Sequence, residues 1–268
     1  MRLAIFVVLF VVGAISARAQ SPDPLLQQAL AGANRTPGFV ARDTARHPQE
    51  ELGFFGITPR SVVIEVWPAG GYWTEFLAPY LRDQGKYYAA VPPPGPNPSA
   101  KAVPAFWQKL AGDPKSYGKA GLTIFGLDHY DMLPPQPGTA DLVVTFRNYH
   151  DWMRDGWADQ ALAGFFRVLK PGGILGIEDH RGSSDRPQDP KAGTGYVRQD
   201  YMIEKAKQAG FELVASSEIN ANPKDTHDWP EGVWTLPPTF RMGDVDRAKY
   251  AAIGEGDNFV LKFRKPMK

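Results

Sequence analysis

The sequence predicts an α/β protein built on a doubly wound parallel sheet of about seven strands with helices on both faces. Three observations carry this reading. Residues 61–74 pass from a short β-branched run (Val62, Val63, Ile64, Val66) through Pro68 and Gly70-Gly71 into helical spacing at Phe76, Leu77, Tyr80 and Leu81. That is a strand, a turn and a helix, the first half of a βαβ unit. Apolar runs of strand length then alternate with helical segments down the chain, as stacked βαβ units require. Third, a helix running into Leu169-Lys170-Pro171-Gly172-Gly173 feeds the apolar strand 174–177; the proline stops the helix and the glycines permit the turn.

Each element follows in order. Residues 25–33 read as a helix broken at Thr36-Pro37-Gly38, and 43–55 carry Leu52, Phe54 and Phe55 around a break at His47-Pro48. Residues 20–60 are thus expected to form a helical cover over the sheet edge or a ligand mouth. Residues 85–91 form the second strand, and the proline-rich run that follows, 92–98, is a stiff extended loop. A helix over 102–111 precedes the third strand, 122–125, which ends at Asp128-His129. The fourth strand, 138–144, leads to Arg147-Asn148-Tyr149-His150-Asp151-Trp152, and the fifth ends at Glu178-Asp179-His180-Arg181. A helix at 200–209, a strand at 211–216 and a last strand at 259–263 complete the sheet. Between the last two strands, residues 220–257 are too long for a hairpin and are expected to fold over the mouth as a lid.

Composition narrows the partners. Residues 1–19 hold Arg2, an apolar run from Leu3 to Val12 and Ala17-Arg18-Ala19, the pattern of a secretory signal peptide. A periplasmic or secreted protein is therefore expected, with no stable membrane insertion after cleavage. The formal charge of +1 becomes −1 once Arg2 and Arg18 leave, which gives no reason to expect nucleic acid as a partner. There is no cysteine, so disulfides and thiolate metal sites are unavailable. A small molecule is the expected partner. Oligomeric state is not legible.

In an open parallel sheet, ligands bind outside the carboxyl ends of the strands. Four of the five histidines fall there or in the long insertion, each beside an aspartate: His129, His150, His180 and His227. His150 and His180 directly follow buried strands and are the candidate catalytic bases. Tyr149, Trp152 and Trp73 are candidate walls for an apolar or aromatic substrate. No His-Glu-x-x-His or similar spacing occurs, so no metal ligands are assigned.

At the first strand–helix junction the chain resembles the class I S-adenosylmethionine-dependent methyltransferases, whose first motif is acid-x-Gly-x-Gly-x-Gly. Glu65 matches the acid and Gly71 the last glycine, while Trp67 and Ala69 stand at the first two; Gly70 supplies backbone freedom nearby. The helix followed by Leu-Lys-Pro-Gly-Gly and a strand, and the Asp141-Leu142-Val143 run, are further matches. The resemblance covers about residues 61–265. It implies S-adenosylmethionine as cofactor, bound by Glu65, Gly70, Gly71, Asp128 (at the adenine) and Asn148 (at the methionine end). It also implies methyl transfer to a small acceptor near His150. Val91 stands where the family carries a ribose-binding acid. Two other readings stay open: an exported binding protein without catalysis on the same fold, and a metal-assisted hydrolase using the histidine–aspartate rim.

Overall fold

The computed structural model describes residues 23–95 and 98–268, so the expected leader at 1–19 lies outside the described residues. Four short helices precede the sheet: α1 (Pro24–Leu30), α2 (Pro37–Val40), α3 (Asp43–Arg46) and α4 (Pro48–Phe55). Three of them start at a proline, whose fixed φ suits the first helical position and whose missing N–H loses no bond there. The chain continues through β1 (Val62–Val66), α5 (Thr74–Leu81), β2 (Lys86–Val91), α6 (Val103–Gly112), α7 (Pro114–Tyr117), β3 (Gly121–Ile124) and β4 (Ala140–Phe146). Then come α8 (Tyr149–Asp155), α9 (Ala158–Val168), β5 (Leu169–Gly182), β6 (Val197–Arg198), α10 (Gln199–Gln208), β7 (Glu212–Ser217), α11 (Arg247–Ile253) and β8 (Asn258–Arg264).

The sheet order is β3-β2-β1-β4-β5-β8-β7, with the two-residue β6 paired to β5 off this path. Pairs from β3 through β5 are parallel, and β8 runs antiparallel between β5 and β7. The order reverses between β1 and β4, so their carboxyl ends open the crevice where doubly wound sheets take ligands.

Alternation along the strands splits the core into two layers. Val63, Leu142 and Val144 pack with Leu52, Phe76 and Leu77 of α4 and α5. Ile64, Val143 and Ile177 pack with Trp152, Leu162 and Phe165 of α8 and α9. Both layers hold fully buried large side chains, each of which contributes about 1.5–3 kcal/mol by leaving water.

Boundaries differ most at β5. It runs for 14 residues, because it already begins at Leu169, which pairs with Ala140 of β4, so that the segment read as a turn lies within it, and because Glu178, Asp179 and His180 continue pairing with Val260, Phe259 and Asn258 of β8. Polar residues at a strand end hide the strand from an apolar pattern. The segment between β7 and β8 holds α11 and a 3₁₀ turn, Gly232–Thr235. No helix of the described residues is long and apolar enough to cross a membrane.

Candidate functional site

The loop after β1 keeps an unusual backbone. Trp67, Ala69 and Gly71 all have positive φ, at 52°, 50° and 86°. These are the three positions at which the resembled motif carries glycine, the residue that adopts this region freely. The path is therefore retained although two side chains have been added. Trp67 directs its indole N–H to the Phe125 carbonyl at 2.8 Å and packs against Trp152 and Trp157 with ring centroids 5.6 and 5.7 Å away. On the other side, the Phe106 ring of α6 would stand 3.2 Å from a Cβ placed on Gly71.

Glu65 faces inward. Its Oε2 accepts from Thr74 Oγ1 at 2.8 Å and from the Tyr87 hydroxyl at 2.6 Å. Burial raises its pKa to about 7, against the opposing pull of those two bonds. The carboxylate thus joins β1, β2 and α5 and is not aimed into the crevice, which corrects the cofactor-binding role expected from sequence. Gly70 accepts a bond from Lys109 Nζ at 3.1 Å through its carbonyl, and neither it nor Gly71 lines the crevice.

At the switch point lies a cavity of about 320 Å³, within the usual range for small-molecule sites. Trp67 and Ala69 form its β1 side, Arg147, Asn148 and His150 its β4 side, and His180 its β5 side. Trp234, Pro237 and Pro238 of the long insertion and Arg42 and Arg46 of the N-terminal helices close the rim. Asn148 joins the strands, with Nδ2 donating to the Val66 carbonyl at 3.0 Å and to Thr145 Oγ1 at 3.1 Å.

Asp179, fully buried, organises the two histidines. Its Oδ2 accepts from the His150 backbone N–H at 3.0 Å, and its Oδ1 pairs with His150 Nδ1 at 2.7 Å and accepts from the His180 N–H at 2.7 Å. Burial alone would lower the His150 pKa, but the charge and hydrogen bond of Asp179 outweigh it and hold the imidazole above its ordinary value. His180 pairs through Nδ1 with Asn258 Oδ1 at 2.8 Å. Burial pulls it down to about 3 against the attraction of Asp179, with His150 and Arg147 adding to the fall. Two imidazoles 5.3 Å apart thereby have their proton affinities pushed in opposite directions, His150 up and His180 down.

Three arginines at the rim share one carboxylate. Arg42 Nε and Arg147 Nη1 each lie 2.6 Å from Glu255, and Arg46 Nε lies 3.6 Å away. Burial raises the Glu255 pKa, but its bonds to Arg42 and Arg147 hold it below the ordinary value. Arg147 has a φ of 61°, a conformation that costs free energy and clusters at functional sites.

Of the sequence-derived candidates, Asn148, His150 and His180 meet at this cavity. Asp128 does not: it is exposed, at φ 63°, in a separate cavity of about 470 Å³ beside Trp107 and His129. Tyr149, Trp152 and Trp73 are buried in the core, and Trp73 stacks on Phe146 at 3.7 Å. Their expected place as substrate walls is corrected to packing, because helical geometry turns Tyr149 and Trp152 away from the face that presents His150. Asp179, Asn258 and the three arginines were not singled out from sequence, and Trp67 only as a departure from the motif. Only Arg147 and Asp179 carried a signal, as neighbours of the candidate histidines.

No family model matches the chain, and no curated protein matches it. Solved structures do. An S-adenosylmethionine-dependent methyltransferase from Aquifex aeolicus superposes with a TM-score of 0.56 at 16% identity, over 84% of this chain and 93% of the other. A 4+2 cyclase, SpnF, gives 0.58 at 17% identity, over 91% and 92%. An arsenic(III) S-adenosylmethionine methyltransferase from Chlamydomonas reinhardtii gives 0.51 at 14% identity, over 92% and 74%. The chain therefore has the Rossmann-like fold of the S-adenosylmethionine-dependent methyltransferases.

Proposed function

We propose that the cavity at the β1–β4 switch point is a site of S-adenosylmethionine-dependent methyl transfer to a small acceptor. The observation that carries this is the β1 loop, whose backbone keeps left-handed φ at all three glycine positions and opens onto a cavity that continues to His150 and His180. The residues fit the amino-acid end of the cofactor: Ala69 and Asn148 line the cavity beside this loop. The nucleoside end has altered contacts. Val91 and Pro92 offer no acid there, and Trp67 presents an aromatic face to the cavity instead.

S-adenosylmethionine supplies an activated methyl group on a sulfonium, so the protein's work is alignment and exclusion of water. The buried carboxylate of Asp179 fixes His150 with one ring nitrogen bound and Nε2 toward the cavity. In that pose it can take a proton from an acceptor hydroxyl or amine. His180 stays neutral and can accept a hydrogen bond. Arg42, Arg46 and Arg147, with Glu255 between them, favour an acceptor bearing an anionic group. Trp234 and Pro237 from the insertion shield the acceptor end.

A second reading has its own support. Between Pro68, Ala69, Val91 and Phe106 only about 10 Å³ is left, and Trp67 fills the space toward Phe125. That crowding favours a small-molecule binding protein that takes no nucleoside. Calorimetric titration with S-adenosylmethionine and S-adenosylhomocysteine separates the two. Methyl transfer predicts micromolar binding of both, weakened at least tenfold in Ala102→Phe, which projects a ring into the cavity wall from a residue of ordinary backbone conformation. Absence of binding to the wild-type chain would overturn the enzymatic reading.

A further inference from the structure

We propose that His150 and His180 form a binding site for one divalent transition-metal ion of the zinc, cobalt or nickel type. Among the described residues, His150, Asp179 and His180 form a group in which one ligand atom of each lies within 4.8 Å of the others. Asp179 is already committed, since both its oxygens accept bonds from His150 and His180. It orients the histidines and is not itself the ligand. What remains free is the Nε2 atom of each ring.

Three features mark these two nitrogens as prepared ligands. Each ring is held through Nδ1, His150 by a buried carboxylate and His180 by a side-chain amide oxygen. That partner accepts a hydrogen bond from Nδ1–H, which places the ring's lone pair on Nε2, as in carboxylate–histidine–metal arrangements. Both rings line the same cavity, and among the described residues neither Nε2 has a hydrogen-bond partner. Asp151 Oδ1 lies 3.8 Å from His150 Nε2 but is paired with Arg154 Nη1, so the two imidazoles are the protein's ligands. Imidazole nitrogen with an oxygen ligand suits zinc, cobalt and nickel over magnesium or calcium. The ring centroids lie 5.3 Å apart, a separation that one ion bonded at about 2.0–2.1 Å to each imidazole nitrogen can span.

Two histidines leave coordination positions open toward Arg42, Arg46 and Arg147. An anionic oxygen ligand would fill them, with the arginines balancing its charge. An ion here would lower the pKa of a bound acceptor, in place of proton removal by His150. The site stands without methyl transfer, because metal binding is measured with no cofactor present.

The test uses the tag-free full chain, stripped with chelator and titrated with Co²⁺ by calorimetry and visible absorption. One Co²⁺ per chain, displaced by Zn²⁺, is expected. His180→Ala should weaken binding at least 100-fold, and Asn258→Ala, which frees the ring without removing the ligand, about 10- to 100-fold. Should either variant fail to fold, proton NMR of the wild-type chain decides: the ring N–H signals of His150 and His180 must shift on Co²⁺ addition. Substoichiometric binding, unshifted ring signals, or full affinity in a folded His180→Ala variant would each overturn the site.

Discussion

At the scale of single residues, Ala69 shows how far the motif can change while the backbone stays put. An alanine at φ 50° carries a left-handed penalty of about 1–2 kcal/mol that glycine escapes, partly offset by glycine's greater freedom in the unfolded chain. Ala69→Gly is therefore expected to raise the unfolding free energy by about 1 kcal/mol, read from urea melts. An unchanged or lowered midpoint would mean that the Ala69 methyl packs well enough to cancel the strain. The same residue explains what sequence could and could not reveal. Glu65, Trp67, Ala69 and Gly71 align with the motif by spacing, and the three φ values follow it. The direction of each side chain does not follow from spacing. Glu65 turned inward because Thr74 and Tyr87, on two other elements, supply its hydrogen bonds, and no linear pattern encodes that meeting.

At the scale of elements, α8 is the part that places the site. Asp179 on β5 accepts the His150 backbone N–H in the first turn of this helix and also pairs with its ring, so one carboxylate sets both the helix and the imidazole. A negative charge at a helix N-terminus is favourable, and burial here magnifies the interaction. Asp179→Asn removes the charge and keeps the shape. The His150 pKa is then expected to fall below its ordinary 6.5, since burial would be opposed only by the weaker pull of Asp151, and stability should drop by about 3–5 kcal/mol as for other broken buried pairs. An NMR titration of the His150 ring checks the first part and thermal unfolding the second. A pKa that stays raised would transfer the effect to Asp151, which also acts on this ring. Here the sequence was half legible. The strands were visible as apolar runs, and both histidines stood at strand ends. The pairing of His150 with an aspartate 29 residues away depends on β4 and β5 being neighbours in the sheet, while the aspartate beside it in sequence turns to Arg154.

At the scale of the whole molecule, the buried carboxylates set how stability varies with pH. The fold class and the positions of the strands were legible because apolar runs and the Pro-Gly-Gly turn are local signals, whereas the strand order β3-β2-β1-β4-β5-β8-β7 came from the structure. The charge distribution beneath the cavity was not legible either. Burial raises the pKa of Glu65 to about 7, burial and the charge of Glu178 raise Glu51, and burial with the charges of Glu255 and Asp179 raises Glu178; Asn220 donates to both Glu51 and Glu178. For an acid with a raised folded pKa, the folded state binds more protons than the unfolded state between the two pKa values. Stability from that source is complete below about 4.5 and is lost as pH rises through about 7. His150, also raised, loses its contribution over the neutral range. Asp179 and Glu255 are held low and act in the opposite sense, losing theirs only in strong acid. The unfolding free energy is therefore expected to peak near pH 5 and to decline toward pH 8. For Glu65 the decline corresponds to a shift from 4.5 to about 7, on the order of 3 kcal/mol. Glu65→Gln keeps a donor-accepting oxygen for Thr74 and Tyr87 but cannot ionise. Urea unfolding at pH 5 and pH 8 should show the wild-type difference shrinking in this variant by up to that amount, with an unchanged dependence on denaturant. A variant as pH-sensitive as the wild type would assign the slope to the Glu51–Glu178 pair.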